Sequence, residues 1–221
     1  MMSSNFIGLL GGTGEEGRGI ALRLASGGQR VLIGSRSYDS ASKAVNWINE
    51  QAGREVATAA TNIEVVKNCG FLFLTVPFRF ASAVIEESRD SFQAGQMVVD
   101  VTVPLSFEKG PHLLSLEEGS GGEHIRALLP SSVGLAAAFK TLPAHLLADI
   151  HEPLDCDEFI CGDSSETIEK VIQILDGIPE LRWINAGPLS SCRSLEAMTL
   201  LAIRLNRRYK SRLGRYRFLG I

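Results

Sequence analysis

No run of about 18 apolar residues occurs in the 221-residue chain, which excludes a membrane-spanning helix of the usual length. Cysteine is scarce and unpatterned. Cys69, Cys156, Cys161 and Cys192 form no C-x-x-C pair, and His112, His124, His145 and His151 are too scattered to complete a zinc set. We read the four thiols as reduced packing residues of a cytoplasmic protein. The first residues, Met1 to Ile7, have neither a basic region nor a cleavage-type pattern, so no secretory leader is expected. No Ser/His/Asp, Cys/His or paired-carboxylate constellation stands out either. Net charge is nearly absent: 22 Lys and Arg face 25 Asp and Glu, for −3. That balance argues against a general nucleic-acid binder. Charged residues make up only 21% of the chain and apolar residues 45%, which argues against disorder.

What is present is a globular chain with ample length for a core, as one large domain or an ordinary domain plus a small one. Short apolar runs alternate with helical patterns. Phe6–Leu10, Val31–Gly34, Phe71–Val76 and Met97–Val101 read as buried strands, with Glu55–Ala59 a weaker candidate. Ile20, Ala21, Leu24 and Ala25 recur at helical spacing and stop at Gly27-Gly28. Residues 40–51 and a shorter stretch ending at Cys69 read as further helices. Runs apolar on both faces and separated by helices predict a parallel sheet, an α/β fold. After Val101 the rhythm weakens. Residues 103–122 hold Pro104, Pro111 and a Gly-Ser-Gly-Gly stretch and read as a long loop, either functional or a surface excursion. Strands are expected again at 133–139, 158–161 and 181–184. A long helix is expected from Ser194 to Tyr209, with Leu195, Met198, Ala202, Leu205 and Tyr209 near one face.

Gly12-Thr13-Gly14-Glu15-Glu16-Gly17 matches G-x-G-x-x-G. With 22 glycines the spacing alone is weak evidence, but here it follows the first strand and opens a helix. Gly12 then permits the tight turn, Gly14 admits a pyrophosphate to the backbone, and Gly17 lets helix and strand pack closely. Free N–H groups at the helix N-terminus would hold the phosphates. The alternative is a plain strand-to-helix turn. At the end of the second strand, where an NAD site usually carries a carboxylate, the chain reads Gly34-Ser35-Arg36-Ser37. A hydroxyl and a guanidinium would hold a 2′-phosphate that a carboxylate would repel, so NADP is expected.

Together with Gly-Gly-Thr-Gly-x-x-Gly and Gly-Ser-Arg, further segments carry a specific resemblance. They include Val101-Thr102-Val103-Pro104, Asp155-Cys156-Asp157, Cys161-Gly162-Asp163, Asn185-Ala186-Gly187-Pro188-Leu189 and Asn206-Arg207-Arg208-Tyr209-Lys210. Over nearly its whole length the sequence resembles the NADPH-dependent reductases of coenzyme F420, a 5-deazaflavin. The resemblance implies a Rossmann-type, mostly parallel sheet with helices on both faces. It implies an NADP-binding domain at 1–150 and a smaller C-terminal α/β domain at 151–221 that helps form the deazaflavin cleft. It implies that Thr13, Ser35 and Arg36 contact NADP. Thr75-Val76-Pro77 would lie beside the nicotinamide, and Arg193 and Thr199 would line the deazaflavin cleft, the alternative for both being ordinary helix packing or capping. Leu142 is counted with the cofactor-binding residues. Glu15 and Glu16 belong to the cofactor-binding set through the glycine motif. The chain departs from the family pattern at Lys140, where His or Gln is frequent. That cation could sit near the reacting rings or point to solvent.

The implied reaction is reversible hydride transfer between NADP(H) and F420. It needs positioning of two rings and exclusion of water, with no dedicated catalytic residue and no metal expected. Two other readings remain open: an NADP-dependent reductase of a small imine, carbonyl or metal complex, and a non-catalytic NADP(H) sensor. The resemblance also implies a homodimer, with no nucleic acid or membrane as partner. Finally, the near-zero charge conceals an asymmetry. Seven basic residues and no acidic one lie between Arg204 and Arg217, leaving 15 basic against 25 acidic residues elsewhere. Arg207, Arg208 and Lys210 are candidates for steering an anionic deazaflavin tail; the alternative is a solvated helix end.

Overall fold

The computed structural model describes residues 6–221; residues 1–5, part of the segment read above for a leader, lie outside them. The described residues form ten strands: β1 (Phe6–Leu10), β2 (Arg30–Ser35), β3 (Ala57–Thr61), β4 (Phe71–Leu74), β5 (Met97–Asp100), β6 (Leu105–Ser106), β7 (His112–Leu113), β8 (Gly134–Ala137), β9 (Cys156–Gly162) and β10 (Leu181–Pro188). Eight helices accompany them: α1 (Glu15–Ser26), α2 (Tyr38–Ala52), α3 (Asn62–Asn68), α4 (Phe78–Ser88), α5 (Gly121–Leu128), α6 (Ala144–Ala148), α7 (Ser165–Leu175) and α8 (Cys192–Arg208). Eight strands make one sheet in the order β3-β2-β1-β4-β5-β8-β9-β10. Every neighbouring pair is parallel except β8 and β9, which run antiparallel through Ala136–Gly162 and Ala137–Cys161. Residues 151–221 therefore add β9 and β10 to the same sheet.

The doubly apolar strands feed two cores, because successive side chains point to opposite faces. On β4, Phe71 and Phe73 join α1, α2, α6 and α7 on one face, while Leu72 and Leu74 join α3, α4, α5 and α8 on the other. Each such fully buried Leu or Phe contributes roughly 1.5–3 kcal/mol. Edge-to-face rings run through the first core from Phe71 to Phe73, Phe139 and Trp183, with centroids 5.5, 5.8 and 5.2 Å apart.

Local signals set the helix ends. Ser37 caps α2 by accepting from the Ser40 amide at 3.4 Å, and Thr61 and Glu64 form a reciprocal capping box on α3. The short α6 has no such device of its own. Its closing carbonyls are gathered by the buried Arg23 of α1, which donates to Leu146, Leu147 and Glu152 at 2.8, 3.2 and 2.9 Å and also to Asp149.

The expectation of a structureless 103–122 is corrected. β6 and β7 pair there as a short hairpin, and Gly121 already begins α5, capped by Ser120. Strands of two residues carry too little periodicity to be read. The single buried face expected for the last helix is also only half right. Leu195 is buried, but Leu205 and Tyr209 are 42% and 73% exposed, since the hairpin meets the end of α8 through Arg204 and Arg207 instead.

Candidate active site

The strand order reverses between β1 and β4: β2 and β3 lie to one side, and the chain then crosses to the other. At such a switch point the loops beyond the carboxyl ends of the strands leave a crevice. Two contiguous cavities occupy it. One of about 230 Å³ is lined by Gly11, Thr13, Ser35, Arg36, Asn62 and Phe80. The other, of about 440 Å³, is lined by Glu15, Glu16, Arg79, Lys140, Leu142 and Thr199. Gly14, Thr75, Val76 and Pro77 border both. A larger hollow of about 630 Å³ lies at the opposite end of the sheet, around Phe6, Arg30, Phe71 and Met97. It has no helix N-terminus to receive a phosphate and stands at the end where open parallel sheets do not bind ligands.

Glycine chemistry fits the smaller cavity to a dinucleotide. A Cβ on Gly17 would stand 2.8 Å from Gly12 Cα and 2.9 Å from Thr75 Oγ1, so only glycine allows α1 to approach the turn. A Cβ on Gly14 would meet nothing within 4 Å; it would project into the space a pyrophosphate needs. No side chain caps the α1 N-terminus, whose amides are left for a ligand. Asn62 fixes the turn by accepting from the Gly11 amide at 3.1 Å, and Thr75 Oγ1 donates to the Leu10 carbonyl at 2.9 Å.

At the far end of this cavity the exposed Arg36 guanidinium lies 5.5 Å from the centre of the Phe80 ring, and Arg79 approaches the same ring at 4.7 Å. Ser35 Oγ accepts from the Ser37 amide at 3.2 Å. Arg79 and Phe80 were not among the residues expected here. A signal existed: Arg79 is a cation in the first turn of α4, where the helix dipole disfavours one, and no acidic residue accompanies it.

The floor of the larger cavity is a buried ion cluster. The Lys140 ammonium donates to Asp100 Oδ2 at 2.8 Å and to the Thr102 carbonyl, and lies 3.8 Å from Glu196 Oε1. Its side chain is wholly buried, which corrects the solvent-pointing alternative. Three acceptors face its three protons, so the amine is spent on the protein. Burial alone would lower its pKa, but Asp100 and Glu196 outweigh that and hold it above the ordinary lysine range. Asp100 also accepts from the Thr102 amide and hydroxyl at 2.9 and 2.7 Å. Glu196 accepts from the Gly121 amide and the Cys192 thiol, each at 3.2 Å.

The turn that delivers Lys140 is strained. Phe139, fully buried, has φ of 57°, a conformation costing a bulky residue roughly 1–3 kcal/mol, and its ring is held between Phe73 and Trp183. Nearby, burial pushes the Glu158 carboxyl up to about 7, against hydrogen bonds from Thr141 that lower it. Burial also pushes Glu16 up to about 8; Lys140 opposes this while Glu158 and Asp100 add to it.

Of the residues expected to bind cofactors, Thr13, Gly14, Glu15, Glu16, Ser35, Arg36, Thr75, Val76, Pro77, Leu142 and Thr199 border the two cavities. Gly12 and Gly17 lie behind them as packing positions. Thr199 Oγ1 lies 2.7 Å from the Lys140 carbonyl. Arg193 borders neither cavity; it donates to the Gly119 carbonyl at 3.0 Å, and with the Gly121–Glu196 bond this pins the 119–122 stretch to α8. The hairpin contributes Leu105 and, just beyond its strands, Phe107 and Leu114. Arg207 lies 5.6 Å from the Phe107 ring centre, and Arg204 donates to the Pro111 carbonyl at 3.2 Å. Among the described residues no cluster of three or more His, Cys, Asp or Glu is arranged to hold a metal.

Comparison with known proteins agrees with this geometry. Residues 6–104 match the family described as NADP oxidoreductase, coenzyme F420-dependent. The F420-dependent NADP reductase of Methanothermobacter thermautotrophicus is 34% identical over 212 residues, covering 93% of this chain and 91% of that protein. The enzyme of the same description from Methanocaldococcus jannaschii is 33% identical over 213 residues, covering 93% and 94%. The solved structure of a candidate F420-dependent NADP-reductase from Arthrobacter sp. FB24 superposes with a TM-score of 0.83, covering 97% of this chain and 99% of that one at 22% identity. At that identity it speaks to the fold, a mostly parallel Rossmann-type sheet with helices on both faces. By its similarity to the archaeal reductases along almost its entire length, the chain belongs to the F420-dependent NADP oxidoreductase family.

Proposed function

We propose that the protein transfers a hydride reversibly between NADP(H) and the 5-deazaflavin coenzyme F420. The observation that carries this reading is the pair of joined cavities meeting at Gly14 and Thr75–Pro77, in a chain of this family. The smaller cavity suits an adenosine 2′-phosphate at Ser35 and Arg36 and a pyrophosphate at the α1 amides. A nicotinamide then lies at the Thr75–Val76–Pro77 junction and faces the larger cavity. There Leu142, Thr199, Phe107 and Leu114 offer a mostly apolar berth to a second flat ring. When both are bound, the nicotinamide supplies a hydride to the deazaflavin. The residues hold two rings in contact and exclude water. In this reading 1–150 binds NADP and also supplies Leu142, Phe107 and Leu114 to the second berth, to which 151–221 contributes Thr199.

Three finer points belong to the same proposal. Exposed Leu201, Leu205, Tyr209 and Leu213 support a homodimer. Buried Cys156, Cys161 and Cys192, none of them in a disulfide, fit a cytoplasmic setting. The position of Arg207 over Phe107, at the cavity rim, supports a role for the basic run in drawing in an anionic tail. The test is direct: protein, NADPH and oxidised F420 are mixed and the visible deazaflavin absorbance is followed. Bleaching is expected. Its absence at substrate excess rejects the reading, and NADPH consumption with another acceptor would redirect it.

A further inference from the structure

Reduction of a 5-deazaflavin by NADPH consumes one proton as well as one hydride, because a hydride alone leaves the ring one proton short of its reduced form. The larger cavity contains a group suited to that proton. Glu16 borders it together with Lys140, Thr199, Thr75, Val76 and Pro77. No hydrogen bond or ion pair ties its carboxyl to the protein among the described residues, in contrast to Asp100, Glu158 and Glu196 around it, all of which are held. It sits with Glu15 in the first turn of α1; the helix dipole alone favours a carboxylate there, but a pyrophosphate docked on the same amides would oppose a charged one.

We propose that Glu16 carries the reaction's proton. In the direction of F420 reduction the nicotinamide C4–H bond breaks and the deazaflavin C5–H bond forms, carrying two electrons. The Glu16 O–H bond breaks and an N–H bond forms at N1 of the deazaflavin, and water reprotonates the carboxylate after product release. In reverse, the Glu16 carboxylate accepts the N1 proton. This rests on the function proposed above and replaces the expectation that no residue takes part in the chemistry.

The surroundings suit a proton that is held at neutral pH and yet released. Burial raises the Glu16 carboxyl to about 8, with Glu158 of β9 and Asp100 of β5 adding to the effect and Lys140 opposing it. The remaining charged neighbours are Glu15 on the same helix and Arg79 on α4, while α6, packed along α1, carries His145. A neutral Glu16 also leaves the helix N-terminus to the phosphates.

The experiment compares wild type, Glu16→Gln and Glu16→Asp. Stopped-flow absorbance gives hydride transfer, and a pH indicator gives proton uptake. Glu16→Gln should slow hydride transfer by about 10²-fold or more while NADPH affinity stays within about threefold. Wild-type F420 reduction should fall above a midpoint of about 8 or higher, and the reverse reaction should rise through the same midpoint. Glu16→Gln should show neither limb, and Glu16→Asp should restore part of the rate. A second readout needs no turnover and no variant that must stay active. In the ligand-free protein labelled with [13C]glutamate, the resonance assigned to Glu16 should titrate near pH 8. A titration below about pH 6, or an unchanged rate and pH profile in Glu16→Gln beside an active wild type, overturns this inference alone. A wild type inert toward F420 overturns the proposed function and the inference with it.

Discussion

Replacing Lys140 by methionine isolates the ion cluster beneath the larger cavity. The substitution keeps most of the side-chain volume but removes the cation from Asp100 and Glu196, whose side chains are 0% and 3% exposed. Removing one partner of a buried ion pair costs roughly 3–5 kcal/mol, because the other charge is left buried without compensation. Here the loss should fall near 3 kcal/mol. Asp100 keeps both Thr102 donors and Glu196 keeps the Gly121 amide and the Cys192 thiol, so neither carboxylate is bare. For a protein of this length, about 3 kcal/mol corresponds to a fall in Tm of roughly 6–12 °C.

The pH dependence gives the sharper check. Wild-type Lys140 is held above the ordinary lysine range, so its contribution is complete below the unfolded value and is lost only in strong alkali; between pH 5 and 8 it is constant. In Lys140→Met the buried carboxylates regain neutrality only by taking up protons. The deficit should therefore shrink as the pH is lowered from about 8 toward 5. Differential scanning calorimetry across that range measures both quantities. Adding Asp100→Asn to Lys140→Met should recover part of the loss, a coupling that a double-mutant cycle reads directly. A single variant within 1 kcal/mol of wild type at pH 7.5, or a deficit that does not change with pH, would refute the assignment of Lys140 as the counter-charge of the cleft floor.

Arg36→Ala should weaken NADPH binding about ten- to a hundredfold, the worth of one charge-assisted contact, and leave NADH binding unchanged in fluorescence titrations. Equal losses for both would remove Arg36 from 2′-phosphate recognition. Glu158 is raised by burial to about 7, so its folded form holds a proton that the unfolded chain has already released. Its contribution to stability is complete below about pH 4 and declines as the pH rises through 7, by on the order of 3 kcal/mol at most. Glu158→Gln, which keeps a partner for the Thr141 hydroxyl, should flatten that decline in denaturant titrations at pH 5 and 8. Neutralising Arg207, Arg208 and Lys210 together should raise the KM for F420 most at low salt. A change independent of salt would return these residues to packing.

Much of the dinucleotide half was readable because its signals are local. The strand β1, the Gly12–Gly17 turn and α1 are contiguous, and the doubly apolar β4 points to the switch point that places Thr75. The acceptor half was not readable in that way. Lys140 gives no hint of burial until Asp100 from β5 and Glu196 from α8 are brought to it, and those partners are remote in the chain. The hairpin around Phe107 has strands too short for any period. α7 did carry an ordinary signal, a Ser164 cap followed by buried Ile168, Val171 and Leu175 at helical spacing. Arg79 carried its own signal in the first turn of α4, but the meaning of Phe80 depends on Arg36, which reaches its ring from the end of β2.

The Arg23 guanidinium that gathers the carbonyls around α6 bears on the order of folding. Its bonds to Leu146 and Asp149 join residues 123 and 126 positions apart. Such non-local contacts form late, since the intervening chain must be ordered before they return any stabilisation. α1, by contrast, can dock on β1 and β2 from short-range contacts alone. The segment that Arg23 secures includes Ala144 and follows directly from Leu142, both of which border the larger cavity. We therefore expect the wall of the acceptor berth to be completed after the phosphate-binding turn, which amide exchange during refolding would read as later protection around residues 146–149 than in α1.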